Sequence, residues 1–109
     1  MTTFANLIAS KYLENAQTAQ YTSSSVKTVI DKCVVNNVSS SNAQLSVNVV
    51  QSGGSAGNNN LIIDSVTIEP GKSYLCPELI GLILESGDFV STLSSNLSAL
   101  VINMAGRTI

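Results

Sequence analysis

The chain has 109 residues, the size of one ordinary domain, which can bury a core without metal or disulfide staples. Its charged residues amount to 11% and its hydrophobic ones to 44%, whereas soluble domains carry about 25% charged residues, so Ser, Thr, Asn and Gln must supply most of the surface. Five Lys and Arg against seven Asp and Glu, a net charge of -2, offer too few cations for a phosphate backbone or an anionic membrane, and a chain with no histidine has no histidine base or metal ligand.

Residues 1–14 hold Phe4, Leu7, Ile8, Tyr12 and Leu13 in a polar background. The spacing 4, 8, 12 fits a helix and an extended arm about equally, and the segment lacks the strict alternation of a half-buried strand. It is expected to be an N-terminal arm outside the core domain of 15–109. Nothing in it resembles a basic region followed by a long apolar run, and no stretch reaches the roughly 18 apolar residues of a membrane helix. Synthesis in the cytoplasm without a standard export signal is therefore expected.

Residues 15–21 suggest a short strand and 22–25 a Ser-rich turn. Val26 to Asn36 reads as a central strand, with Val29, Cys33 and Val35 on one face and Ile30 and Val34 on the other. After a turn over 37–42, Ala43 to Val50 alternates, with Leu45, Val47 and Val49 inward and Gln44, Ser46 and Asn48 outward. These two strands are expected to form a hairpin. Gln51 to Asn60, QSGGSAGNNN, reads as a flexible exposed loop.

Leu61 to Ile68 is β-branched and bounded by turn residues, which makes it a buried strand. Glu69-Pro70-Gly71-Lys72 suits a type II turn, because Pro fixes φ at the second position and Gly accepts positive φ at the third. Pro77 at a first helical position, followed by residues 78–84, predicts one short apolar helix plugging an end of the core. Phe89 to Leu93 and Leu97 to Met104 supply the last strands, the latter with Leu100, Ile102 and Met104 on one face, and 105–109 reads as a tail. The predicted fold is all-β: a two-layer antiparallel β-sandwich, Greek-key or jelly-roll-like, with one short helix and an N-terminal arm. Leu45, Val47, Val49, Ile63, Val66, Phe89, Leu100 and Ile102 are its expected core.

No catalytic constellation, metal set or cofactor motif emerges. Gly71-Lys72-Ser73 ends like a phosphate-binding loop, but the Gly that the motif needs earlier is Val66. Gly53 to Gly57 lacks the Lys and the helix that such a loop requires. Asp64, Glu85 and Asp88 have no calcium-loop spacing, and Asp88 is better suited to cap a turn. Asn37-Val38-Ser39 and Asn96-Leu97-Ser98 fit glycosylation sequons, yet without a secretory route they read as ordinary turns. Cys33 and Cys76 share no CxxC spacing and read as buried reduced thiols, and a disulfide would need their strands to be neighbours.

The order of these features resembles small β-sandwich virion structural proteins of tailed bacteriophages. Residues 15–21 (NAQTAQY), a strand ending in Asn36-Asn37, the run 68–74 (IEPGKSY), the run 84–89 (LESGDF) and a last strand reaching Gly106 carry the similarity. Where such proteins follow that Gly with an acidic residue, this chain has Arg107. The resemblance implies a non-enzymatic subunit of the virion, present in multiple copies on the head surface as decoration or at the head–tail junction as a collar or adaptor. Its expected partners are further copies of itself and capsid, portal or tail proteins. The interface would use Phe4, Leu7, Ile8, Tyr12 and Leu13 on the arm, unless the arm folds back on its own subunit as an edge strand or short helix. The rival class is a carbohydrate-binding module with a cleft lined by Tyr12, Tyr21 or Tyr74.

Overall fold

A computed structural model describes residues 2–109. Nine strands run in chain order: β1 Thr3–Tyr12, β2 Thr18–Thr22, β3 Thr28–Asn37, β4 Ala43–Val50, β5 Leu61–Ile68, β6 Ser73–Tyr74, β7 Ile83–Leu84, β8 Phe89–Ser94 and β9 Leu100–Thr108. One sheet has the order β1-β9-β3-β6, with β7 also on β3, and the other has the order β2-β8-β4-β5. All their pairings are antiparallel.

The pairings are nested. β1 pairs β9, β2 pairs β8, β3 pairs β6 and β7, and β4 pairs β5, so the chain is one long antiparallel hairpin whose tip lies between β4 and β5. Wrapping that hairpin on itself adds β3 to β9 and β4 to β8 and yields two antiparallel sheets packed face to face. This is the strand order of a jelly roll, a double Greek key in which β6 and β7 are two pieces of one interrupted strand. The expected two-layer sandwich is thus present, with Leu45, Val47, Ile63, Leu100 and Ile102 at its centre.

Four expectations are corrected. Of the segment 1–14, expected as a separate arm, the described residues 3–12 are β1, the edge strand of the first sheet, paired with β9 from Thr3 to Tyr12. Its alternation is hidden by register shifts between Asn6 and Ile8 and between Ile8 and Lys11, since each bulge adds a residue and resets which side chains face inward. The second correction concerns β3 and β4, which lie in opposite sheets and form no hairpin. Residues 38–42 instead carry the chain across the sandwich. Asn37 holds that corner: its Nδ2 donates to the carbonyl oxygens of Ser41 (2.9 Å) and Ile68 (2.7 Å), and its Oδ1 accepts from the N–H and hydroxyl of Ser39.

The third correction is the helix. Residues 77–81 form successive tight turns, with Leu79 N–H donating to Cys76 O and Leu82 N–H to Leu79 O. Gly81 has φ +87 and gives its N–H to Ile30 O on β3, so the chain leaves helical geometry to rejoin the sheet. The only helical turn among the described residues is a 3-10 turn at Asn58–Asn60. The fourth is Phe89, which is half-buried on the outer face of the second sheet. Its neighbour Val90 is the inward residue, fully buried in the core, and Thr92 and Ser94 continue that inward face.

The type II turn holds: Gly71 has φ +74, and Lys72 N–H donates to Glu69 O at 3.0 Å. The loop 51–60, expected to be free, is pinned to the sheet. Buried Asn48 donates to Gly57 O (2.9 Å) and to Asn60 Oδ1 (2.7 Å), and Gln17 bridges Asn48 Oδ1 and Ser91 Oγ.

Candidate interaction surface

The five residues expected at an interface divide into two groups. Leu7, Ile8 and Leu13 are buried in their own sandwich, at 8%, 4% and 0% exposure, so they are core and cannot reach a neighbour. Phe4 and Tyr12 stand outside, at 80% and 53%. They sit near opposite ends of β1, Phe4 opposite Arg107 and Tyr12 opposite Val101.

Phe4 belongs to a cross-strand row. Arg107 opposite it on β9 faces Val29 on β3, and Val29 faces Ile83 on β7. In the neighbouring row Thr28 and Leu84 are fully buried, so alternation puts Phe4, Arg107, Val29 and Ile83 on the outer face of the first sheet. Four strands at about 4.8 Å spacing make this row roughly 14 Å long. Ile83 is 57% exposed. Arg107 does not break the row with a free charge, because Asp31 takes it in a forked ion pair, Nε to Oδ2 at 2.9 Å and Nη2 to Oδ1 at 2.9 Å. The hydrogen bond to Asp31, and its negative charge, push the guanidinium pKa further up.

Asp31 reaches Arg107 because of a register shift between Ile30 and Lys32. The shift turns Ile30, Cys33 and Val35 inward and leaves Asp31 and Lys32 outward in mid-strand, which a plain period of two cannot describe. Beside the Phe4 ring, which forms one of its walls, the outer face is hollow: Ala5, Asn6, Asp31, Ala105 and Gly106 complete the lining of a shallow depression of about 470 Å³. A protruding ring and a hollow floored by small residues therefore lie side by side on the same two strands. Ile83 also borders a second groove, of about 660 Å³, between the loop 51–60 and the segment 82–83, where Val49, Ile62 and Asn59 complete the wall.

The three tyrosines do not converge. Tyr12 and Tyr74 lie on the opposite edges of the first sheet, and Tyr21 is on β2 of the second. Tyr21 packs against the core and shares a hydrogen bond with Thr28, and Tyr74 donates to the Glu78 carboxylate at 2.7 Å. Burial, together with that carboxylate, pushes the Tyr74 phenol up to about 12. Asp88 caps its turn as expected, accepting from Glu85 N–H at 2.9 Å and from Ser52 N–H at 3.0 Å. No three His, Cys, Asp or Glu side chains among the described residues are placed to hold a metal ion, and no helix among them is long and apolar enough to cross a membrane.

The sequence missed Val29, Ile83, Asp31 and Arg107 for local reasons. Ile83 fell in the expected helix, Arg107 in the expected tail, and the bulge that exposes Asp31 leaves only the adjacent charges Asp31 and Lys32 as its trace. Comparison of the chain with protein-family models, curated proteins and solved structures finds no match.

Proposed function

We propose that the protein is a non-enzymatic structural subunit of a tailed-bacteriophage particle, assembled in multiple copies on the head surface or at the head–tail junction. The jelly roll is compatible with this role but does not select it, since capsid proteins, lectins and cupins share the architecture. The supporting observation is the outer face of the first sheet. Phe4 at 80% exposure and Ile83 at 57% extend from a row whose one ion pair is internally neutralised. Exposed apolar rows of this kind are costly on a monomer and serve as contact surfaces.

The occupant that fits is a second copy of the chain. A two-fold axis over the β1–β9 pair would place each Phe4 ring in the other copy's hollow of Ala5, Ala105 and Gly106, a self-complementary contact in which each knob meets the partner's hole. With a net charge of -2 per chain, little repulsion opposes the approach.

Two measurements test this. Mass spectrometry of purified particles of the phage that encodes the chain should find it in many copies, and its absence from intact particles rejects the virion assignment. Sedimentation of the isolated chain should show a dimer or larger species that Phe4→Asp reduces to monomer without a change in melting temperature. A wild-type chain that stays monomeric up to millimolar concentration rejects the face-to-face contact.

A further inference from the structure

The two cysteines, far apart in sequence, are opposite one another in the fold. The β3–β6 ladder pairs Val35 with Tyr74 and Asn36 with Ser73, and the same register carried two residues further sets Cys33 against Cys76. Both are free and buried, at 1% and 0% exposure. The Cys76 thiol donates to the carbonyl oxygen of Tyr74 at 3.8 Å, and the neighbouring Cys33 thiol, together with burial, pushes the Cys76 pKa well above the ordinary thiol range. Directly opposite residues of an antiparallel pair have Cα atoms about 4.5–5.5 Å apart, inside the span of about 4.4–6.8 Å that a disulfide bridges. Cys76 also has φ +48, uncommon for a residue with a side chain, at the point where the chain leaves the ladder.

We propose that Cys33 and Cys76 form an internal cross-link that is open in a reducing compartment and closes when the folded protein meets a small-molecule disulfide. The thiolate of one cysteine attacks the small disulfide, forming a mixed disulfide and releasing one thiol. The second cysteine then attacks the protein-side sulfur, forming the Cys33–Cys76 bond and releasing the other thiol. Two protein thiols are oxidised, one small disulfide is reduced to two thiols, and no further oxidant is needed.

Access comes from the segment 75–82, which is tied to β3 by Ile30 N–H to Leu82 O (3.1 Å) and Gly81 N–H to Ile30 O (2.8 Å), between two strands of two residues each. Opening it uncovers Leu79 and Cys76, both fully buried, but leaves the β3–β9 and β4–β8 ladders intact. Once closed, the bond joins β3 to the far side of β4, β5 and β6, a long loop in the unfolded chain. Such a cross-link raises the melting temperature by several degrees or more. None of this depends on the assembly proposed above.

The test uses the full native chain, incubated with oxidised glutathione at mildly alkaline pH. The expected product is a monomer lighter by two hydrogens, with no thiol titratable after denaturation and a Cys33–Cys76 peptide on mapping. It should melt at least about 5 °C higher than the reduced chain, and a dithiol should reverse the shift. The proposal is overturned if the native chain keeps both thiols, if it carries glutathione adducts without an internal bond, if the bond forms only in denaturant, or if the cross-linked chain melts no higher than the reduced one.

Discussion

Asn37 offers the sharpest test of how the two sheets are joined. It is fully buried, and its amide makes four hydrogen bonds at the point where the chain passes from β3 to β4. Asn37→Ala removes both donors. The Ser39 and Ser41 groups lie near the surface and turn to water, so their loss costs little. The Ile68 carbonyl, bonded at 2.7 Å in a buried position, has no such recourse. A net bond is worth about 1 kcal/mol and a buried group left unpaired about 1–3 kcal/mol, which together give a loss of about 2–4 kcal/mol. Urea unfolding should show this as a lower midpoint with an unchanged slope, since the exposed area is the same. A loss below about 1 kcal/mol would mean that the corner is held by the backbone alone, through Asn37 N–H to Lys72 O and Gly71 N–H to Asn37 O.

The companion substitution Asn37→Asp separates donor from acceptor roles. It keeps the oxygen that accepts from Ser39 and turns a carboxylate toward two carbonyl oxygens. Burial and these oxygens raise the folded-state pKa of that carboxyl above its unfolded value. The variant should therefore be most stable below the unfolded value near 3.9 and lose stability as pH rises through the folded one. A variant that gains stability with rising pH in that window contradicts the orientation assigned to the amide.

Two further perturbations probe other parts of the fold. Asn60→Ala removes the acceptor for Asn48 and Gly57 and the donor to Ser55 O; thermal melting should show a loss of about 1–2 kcal/mol, and an unchanged melting temperature would return the loop 51–60 to a free linker. Gly106→Ala puts a Cβ into the carbonyl oxygen of Val29 and within 2.9 Å of Leu7 Cδ1; because β9 is clamped between β1 and β3, urea unfolding should show a loss of about 1–3 kcal/mol or more, and a neutral outcome would mean that this strand pair is less close than described.

The parts of the fold legible in the sequence are those where composition or an unbroken period marks a strand. Ala43 to Val50, which alternates, and Leu61 to Ile68, which is β-branched between turn residues although bulged at Ser65, are bounded to the residue, and Leu100, Ile102 and Met104 face the core as their spacing of two requires. β1 and β3 were misread where bulges interrupt the period. In β1 they bury adjacent Leu7 and Ile8, which imitates a helical or irregular segment, and in β3 they gave the impression of two apolar faces. Phe89 was misplaced for a different reason: the inward face of β8 is Val90, Thr92 and Ser94, so the larger apolar residue marks the wrong side. Residues 78–82 satisfy helical hydrophobicity locally, but two bonds to Ile30, distant in sequence, decide their conformation. The outer row of Phe4, Arg107, Val29 and Ile83 comes from four separate strands, and only the topology brings it together.

The topology also changes what the low charge means. A Ser- and Asn-rich chain suggests a polar surface without ions, yet much of that polarity is spent inside. Asn37 fixes the crossing between sheets; Asn48, Gln17, Asn60 and Ser91 fasten the β4–β5 loop; Gln20 donates to buried Thr92. Among the described residues, no buried side-chain nitrogen or oxygen lacks a partner. Neutral amides and hydroxyls suit these positions because each can both donate and accept, and because burying them costs far less than burying ions. What remains outside is a surface with few charges to repel a second copy, and on the first sheet those at the centre of the row, Asp31 and Arg107, already neutralise each other. In the assembly proposed above, attraction between copies then rests on Phe4 and Ile83 at either end of that row. It should therefore respond to Phe4→Asp far more than to added salt, which screens exposed charges but leaves apolar contacts in place.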